Sequence, residues 1–211
     1  MTSRRILTLN AGSSSLKFAI YREADLALEL SGQVSNLDGA PRLRATAGTD
    51  RVVDESWPRG QPLDALLEGV FAWLDRTGWG AGTVAVGHRI VHGGLEFRDP
   101  VVLTPDVVRR LRQLEPLAPL HQPFNIRGVE MARRHFPQAL QAGVFDTAFH
   151  AGQPEVARLY ALPRDLIDEG VLAYGFHGLS YDYIADRLRT EEGPAAGGRA
   201  IVLQLGSGVA R

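Results

Sequence analysis

Within eight residues, Asn10-Ala11-Gly12-Ser13-Ser14-Ser15-Leu16-Lys17 gathers the groups that hold a phosphate. Gly12 lets backbone approach a ligand closely, and the serine hydroxyls and turn N–H groups can donate to phosphoryl oxygens. Lys17 is the one lysine among 23 cationic side chains. A compact ammonium suits a point contact to a phosphoryl oxygen, where a guanidinium would bind as a fork. The alternative is an ordinary surface lysine on a hairpin. The segment is not a Walker A loop, because the first glycine of that motif is missing and no helical pattern follows Lys17.

Arg89 lies between His88 and Ile90, just past a short apolar run, with Gly93-Gly94 behind it. An arginine outside the carboxyl end of a strand can grip a carboxylate or phosphoryl group with two N–H donors. A structural ion pair with one of the 24 acids is the competing reading. Asp146 follows the apolar run Ala142–Phe145, where a carboxylate could bind magnesium or orient a nucleophile, or cap a turn with Thr147. His121 and His177 are further candidates as donors to developing phosphoryl charge. Each has apolar neighbours, which also suits a packing role. His88 and His92 have helical ligand spacing, yet they follow a strand pattern.

The elements that must carry these residues alternate between strand and helix signals. Ile6–Leu9 reads as a strand buried on both faces, and Leu16–Tyr21 as its hairpin partner. Residues 26–36 and 41–54 alternate around turns at Gly39-Ala40-Pro41 and Gly48-Thr49-Asp50, continuing an antiparallel meander. Apolar residues at helical spacing predict a helix over Pro62–Thr77, and Thr104-Pro105 opens another to about Leu114. Thr83–Gly87 is expected as a buried strand, Asn125–His135 as a helix and Gln138–Phe145 as a strand. Residues 151–176 are looser, with two short helical pieces. Gly178–Arg189 is expected as an amphipathic helix and Ile201–Leu205 as a last strand. This last strand runs into Gly206-Ser207-Gly208, and Ile201–Ser207 aligns with Leu7–Ser13 as an apolar strand entering a Gly-Ser loop, with the look of an internal repeat. A strand begun there would lack a partner, so the chain reads as cut short.

Composition narrows the class. The 211 residues are 45% hydrophobic and 22% charged, with a net charge of −1, which suits a folded globular chain. Nothing in that balance points to nucleic acid or an anionic membrane. Zero cysteines exclude disulfides and thiolate metal sites. The apolar run after Arg4-Arg5 is too short for a signal peptide, and a cytoplasmic location is the expectation.

Five segments in order then carry a resemblance. Leu9–Phe18, Gly87–Gly94, Leu117–Pro123, Val144–His150 and Tyr174–Gly178 closely resemble the signatures of acetate kinases. The resemblance implies an α/β, actin-like (ribonuclease H-like) ATPase fold with a mixed sheet, flanking helices and an incomplete second lobe. It implies an N-terminal lobe over residues 1–150 and the start of a nucleotide-binding lobe over 151–211. The implied reaction moves the γ-phosphoryl group of ATP to acetate, reversibly, giving acetyl phosphate and ADP, with Mg2+ or Mn2+ and usually in a homodimer. Alternatives are a propionate or butyrate kinase, or a non-catalytic phosphate- or nucleotide-binding half-module.

Carried over to this chain, the resemblance places Asn10 by the metal and Ser13, Ser15 and Lys17 on nucleotide phosphates. It gives Arg89 the substrate's carboxylate or phosphoryl group and makes Asp146 the essential catalytic acid. His121 and His177 would stabilise the transferring group. Val91, Leu120 and Phe176 would line the pocket for the acyl methyl group, and Gly206, Ser207 and Gly208 would belong to the second phosphate loop. Two departures stand out: Tyr181 where the family usually has histidine, and Gln204-Leu205-Gly206-Ser207-Gly208 where it usually has His-Leu-Gly-Asn-Gly. Little or no turnover is expected from these 211 residues alone.

Overall fold

The computed structural model of the chain describes residues 3–191, 193 and 198–204. Its first strands, β1 (Arg5–Ala11) and β2 (Ser15–Arg22), form the expected hairpin, paired from Arg5↔Arg22 to Ala11↔Leu16. β3 (Leu28–Ser35), β4 (Arg42–Ala47) and β5 (Asp50–Ser56) continue it as an antiparallel meander. Period-2 alternation sorts the side chains. Leu7, Leu9, Leu16, Phe18, Ile20, Leu30, Val34, Leu43 and Val53 are buried. Asn10, Lys17, Gln33 and Arg44 stand opposite one another in register, on strand positions that alternate with these. β1 is therefore buried on one face, not two: Ile6 and Thr8 remain half-buried between Leu7 and Leu9.

Helix α1 (Leu63–Arg76) covers the apolar face with Leu66, Leu67, Val70, Phe71, Trp73 and Leu74, as its 3.6-residue spacing requires. Each such large side chain removed from water contributes about 1.5–3 kcal/mol. The chain then enters β6 (Thr83–Ile90), parallel to β1 with Leu9 opposite His88. β6 is longer than the apolar run suggests, so Arg89 belongs to the end of the strand and not to a loop beyond it. Pairing with β1 supplies the backbone partners that extend it.

β7 (Val101–Val102) is followed by α2 (Pro105–Arg112), where the Thr104 hydroxyl accepts the Val107 N–H at 3.3 Å and Pro105 occupies the first turn. α3 (Gln122–His135) starts three residues before the expected Asn125, because Pro123 fits a first helical turn that has no use for its missing N–H. β8 (Leu140–Phe145) completes an eight-stranded mixed sheet of order β5-β4-β3-β2-β1-β6-β8-β7.

The chain divides into two compact units: one of residues 1–90 and 100–144, the other of Val91–Asp99 and the chain from Phe145 onward. The second contains a 3-10 turn (Ala148–Gly152), α4 (Glu155–Arg158), α5 (Arg164–Asp168) and α6 (Gly178–Glu191). The apolar residues of α6 do not form the buried face expected of them. Gly178 is its one buried residue among those described, and Tyr183 and Ile184 are exposed. Ile201–Gln204 is not a strand: among the described residues no neighbour pairs with it, and a strand exists only through pairing. Leu205 and the expected phosphate-loop residues Gly206, Ser207 and Gly208 lie outside the described residues.

Candidate functional site

In the first unit the hairpin tip is shaped by its own backbone. The Gly12 N–H donates to the Ser15 carbonyl at 3.0 Å, leaving Ser13 and Ser14 at the turn. The tip is fixed from below by a residue that sequence reasoning missed. Asn125, buried on α3, donates its Nδ2–H to the Ala11 carbonyl at 2.7 Å. Its only sequence signal is a polar residue within an apolar helix face.

Asn10 and Lys17 face each other across the β1–β2 pair. Because β6 runs parallel on the other side of β1, Arg89 reaches the same neighbourhood. Its Nη1–H donates to Asn10 Oδ1 at 3.2 Å. Thr8, Asn10, Lys17, Gly87 and Arg89 line one cavity of about 440 Å³. Leu9, Phe18, Ala19 and Val144 line the rest of this mostly apolar space, so the ammonium, the guanidinium and the amide are its few polar groups, of a kind that can receive an anion.

His88, the neighbour of Arg89, has a different task. It is 2% exposed, and its Nε2–H donates to Gln141 Oε1 at 2.8 Å, while Gln141 Nε2–H donates to the Ala139 carbonyl. Burial pushes this imidazole down to about 4, partly opposed by the Gln141 hydrogen bond, with Arg133 adding to the downward shift. His88 is a neutral core residue linking β6 to β8. Leu120 and His121 are both exposed at the start of α3, Leu120 at 72%.

The second unit gathers another set. Asp146 is 2% exposed, directly after β8. Its carbonyl accepts the Gly178 N–H at 2.8 Å, which brings His177 next to it along the chain. His177 has φ 59°, the left-handed region that a non-glycine residue rarely adopts. The Thr147 hydroxyl accepts the Gly93 N–H at 3.0 Å and holds the Val91–Gly94 segment. His92 within that segment is buried, its Nδ1 accepts the Gly94 N–H at 2.9 Å, and burial pushes its imidazole below the usual range. Its ring meets Tyr174 edge-on at 4.5 Å and Phe176 at 5.6 Å. Val91 and Phe176, expected together around an acyl group, therefore belong to two segments packed against each other. Thr147 was missed by sequence reasoning; its signal is only its place after Asp146.

Tyr181, at the position of the departure from the family pattern, stacks on Phe149 with centroids 6.1 Å apart and meets His150 edge-on at 5.5 Å. A cavity of about 700 Å³ in this unit is lined by Phe149, His150, Tyr174, Tyr181 and Arg189 among others. No group of three or more His, Asp or Glu residues that could hold a metal occurs among the described residues.

Comparison with known proteins places the chain in a family and a fold. The profile of the Acetokinase family matches residues 5–210. Acetate kinase of Rhodopseudomonas palustris (strain TIE-1) is 44% identical over 96% of this chain and 52% of its own length. Acetate kinase of Methylocella silvestris is 43% identical over 98% of this chain and 54% of its own. Among solved structures, a propionate kinase from Francisella tularensis superposes with a TM-score of 0.80 at 31% identity, covering 89% of this chain and 48% of that one. Porphyromonas gingivalis acetate kinase gives 0.78 at 35% identity, covering 90% and 49%. The chain thus spans about half the length of the curated relatives it matches. The α/β fold with a mixed sheet is the actin-like fold that the signature segments imply. With the family profile matched along nearly the whole sequence, the chain belongs to the acetokinase family.

Proposed function

We propose that this chain carries the carboxylate- and phosphate-handling part of a kinase that moves the γ-phosphoryl group of ATP to acetate or a similar short carboxylate, reversibly. One observation supports it above the others: Arg89 donates to Asn10 at 3.2 Å in a cavity that Lys17 shares. Three donors of different geometry around one space suit a group whose charge moves between oxygens during transfer.

In this reading Lys17 and the hydroxyls of Ser13 and Ser15 contact nucleotide phosphates, and Arg89 grips the carboxylate or the phosphoryl group being transferred. Asp146 acts as the catalytic acid group, and His177 and His121 donate to charge developing on the transferring group. Val91, Leu120 and Phe176 bound the acyl chain. Gly206, Ser207 and Gly208 serve as the second phosphate loop, and residues 1–150 and 151–211 serve as parts of two lobes. A magnesium ion suits this donor set, because it takes hard oxygen ligands and keeps phosphate oxygens and water in its shell. Asn10 offers such an oxygen, with a lone pair left beyond the one that Arg89 uses. When bound, the metal would neutralise charge on the phosphates. A cytoplasmic homodimer with ATP and a short carboxylate as its substrates completes the reading.

The test is acetyl phosphate formation by the 211-residue chain from ATP, Mg2+ and acetate. Because the chain spans about half its relatives' length, little or no turnover is expected of it alone, together with measurable binding of inorganic phosphate. Turnover at the rate of a full-length relative would overturn the first expectation. Absence of phosphate binding would overturn the assignment of Asn10, Lys17 and Arg89. A second reading is a phosphate- or nucleotide-binding half-module without turnover; it would be favoured if these residues, joined to the C-terminal half of a full-length relative, bound phosphate but formed no acetyl phosphate.

A further inference from the structure

We propose that His150 is a positioning residue that fixes the direction of the His177 side chain. The proposal rests on the role given to His177 above. His150 lies in the 3-10 turn Ala148–Gly152. Its Nε2–H donates to the Phe176 carbonyl oxygen at 3.0 Å; a carbonyl only accepts, so the proton is on Nε2.

That bond pins the peptide plane preceding His177. The plane following it is pinned separately, because the Gly178 N–H donates to the Asp146 carbonyl at 2.8 Å. With both flanking planes held, φ and ψ of His177 are set, and so is the direction of its Cα–Cβ bond. The need for such a clamp is visible in the backbone. His177 has φ 59°, and a non-glycine residue persists there only when its surroundings over-determine it.

The clamp is itself braced. The His150 ring meets Phe149 edge-on at 5.2 Å and Tyr181 at 5.5 Å. Gly175 gives the ring its room: a Cβ there would collide with the imidazole, so the ring lies directly on the backbone it holds. On the far side a Cβ at Gly178 would collide with the Asp146 carbonyl oxygen. Both clamping groups, the Asp146 carbonyl and the His150 ring, come from one short segment after β8. The segment that presents Asp146 therefore also sets His177.

The experiment compares His150→Leu, which keeps bulk without a donor, with His150→Gln, which keeps an N–H at similar reach. Amide exchange at Gly178 is read against that of β1 and β2 in the same samples. In His150→Leu the Gly178 amide should exchange about tenfold faster while the hairpin amides stay unchanged, and His150→Gln should recover most of the lost protection. Unchanged exchange in His150→Leu, or a Gln variant no better than Leu in a folded chain, would overturn the proposal. A measurement on the unmutated chain guards against a variant that misfolds. Long-range 1H–15N spectra should show His150 as the Nε2–H tautomer, and an Nδ1–H tautomer overturns the clamp. Titration with inorganic phosphate while following the His177 ring resonances completes the design. A His177 that responds in the unmutated chain and about tenfold more weakly in His150→Leu supports the positioning role. A His177 that ignores phosphate in the unmutated chain refutes the positioning of a phosphate-contacting group, whereas the exchange data separately judge the clamp.

Discussion

The backbone N–H of Gly178 donates to the backbone carbonyl of Asp146 at 2.8 Å, tying the end of β8 to the start of α6 across 32 residues of chain. Two residues proposed to act on one phosphoryl group, Asp146 and His177, are thereby fixed by main-chain geometry. Gly178 has no side-chain alternative, because a Cβ would meet the Asp146 carbonyl oxygen, a backbone atom that cannot swing aside.

Gly178→Ala should accordingly disturb the second unit and leave the first intact. The expected loss is roughly 1–3 kcal/mol, from backbone displacement and a strained contact. Limited proteolysis should cut first between residues 146 and 178 in the variant, while the sheet of the first unit stays protected. An equally resistant variant would show that the Asp146–Gly178 contact yields without cost.

Lys17→Ala should weaken phosphate binding with little effect on folding. Lys17 is an exposed β2 residue whose neighbours Leu16 and Phe18 supply the buried contacts. Loss of one ammonium contact is expected to reduce phosphate affinity about tenfold and to alter stability by less than about 0.5 kcal/mol. Calorimetric titration with phosphate and a urea melt separate the two effects.

Asp146→Asn, placed in a chain that turns over, should abolish acetyl phosphate formation while the fold remains. The substitution keeps the side chain's size and the backbone carbonyl that accepts from Gly178. Circular dichroism should match that of the parent, and a variant retaining activity would remove the carboxylate from the reaction.

Stability should fall on mild acidification because of His88. Its imidazole is pushed down to about 4 in the folded chain, while an unfolded histidine titrates near 6.5. Between these values the unfolded state binds the extra proton, so stability rises with pH across this window and is lost as pH falls through it. The full effect from this one group is on the order of 3 kcal/mol between pH 7 and 4. Urea unfolding at pH 7.0, 5.5 and 4.5 measures it. His88→Gln should flatten the slope, and an unaltered slope would assign the acid sensitivity elsewhere.

The sequence by itself determined the meander and the helices α1 and α2, and it singled out the residues proposed to handle phosphate. Each of these rests on information close along the chain. Alternation sorts β1 to β5, helical spacing defines α1, and Thr104-Pro105 announces α2. The glycine-serine turn gathers its donors and the single lysine within eight residues, which is why a phosphate-binding role could be proposed for it from the sequence. The tertiary structure decided what depends on partners far along the chain. Parallel pairing with β1 drew His88 and Arg89 into β6, which turned His88 into a buried neutral residue and carried Arg89 to Asn10. The roles of Asn125 beneath Ala11, Thr147 on Gly93 and His150 on Phe176 are not legible locally, because each serves a backbone group in a remote segment. The left-handed conformation of His177 has none either, since nothing in Phe176-His177-Gly178 prefers it over an ordinary helix start. Local composition can name a reactive group, but the direction in which that group points is set by hydrogen bonds that only the folded chain can close.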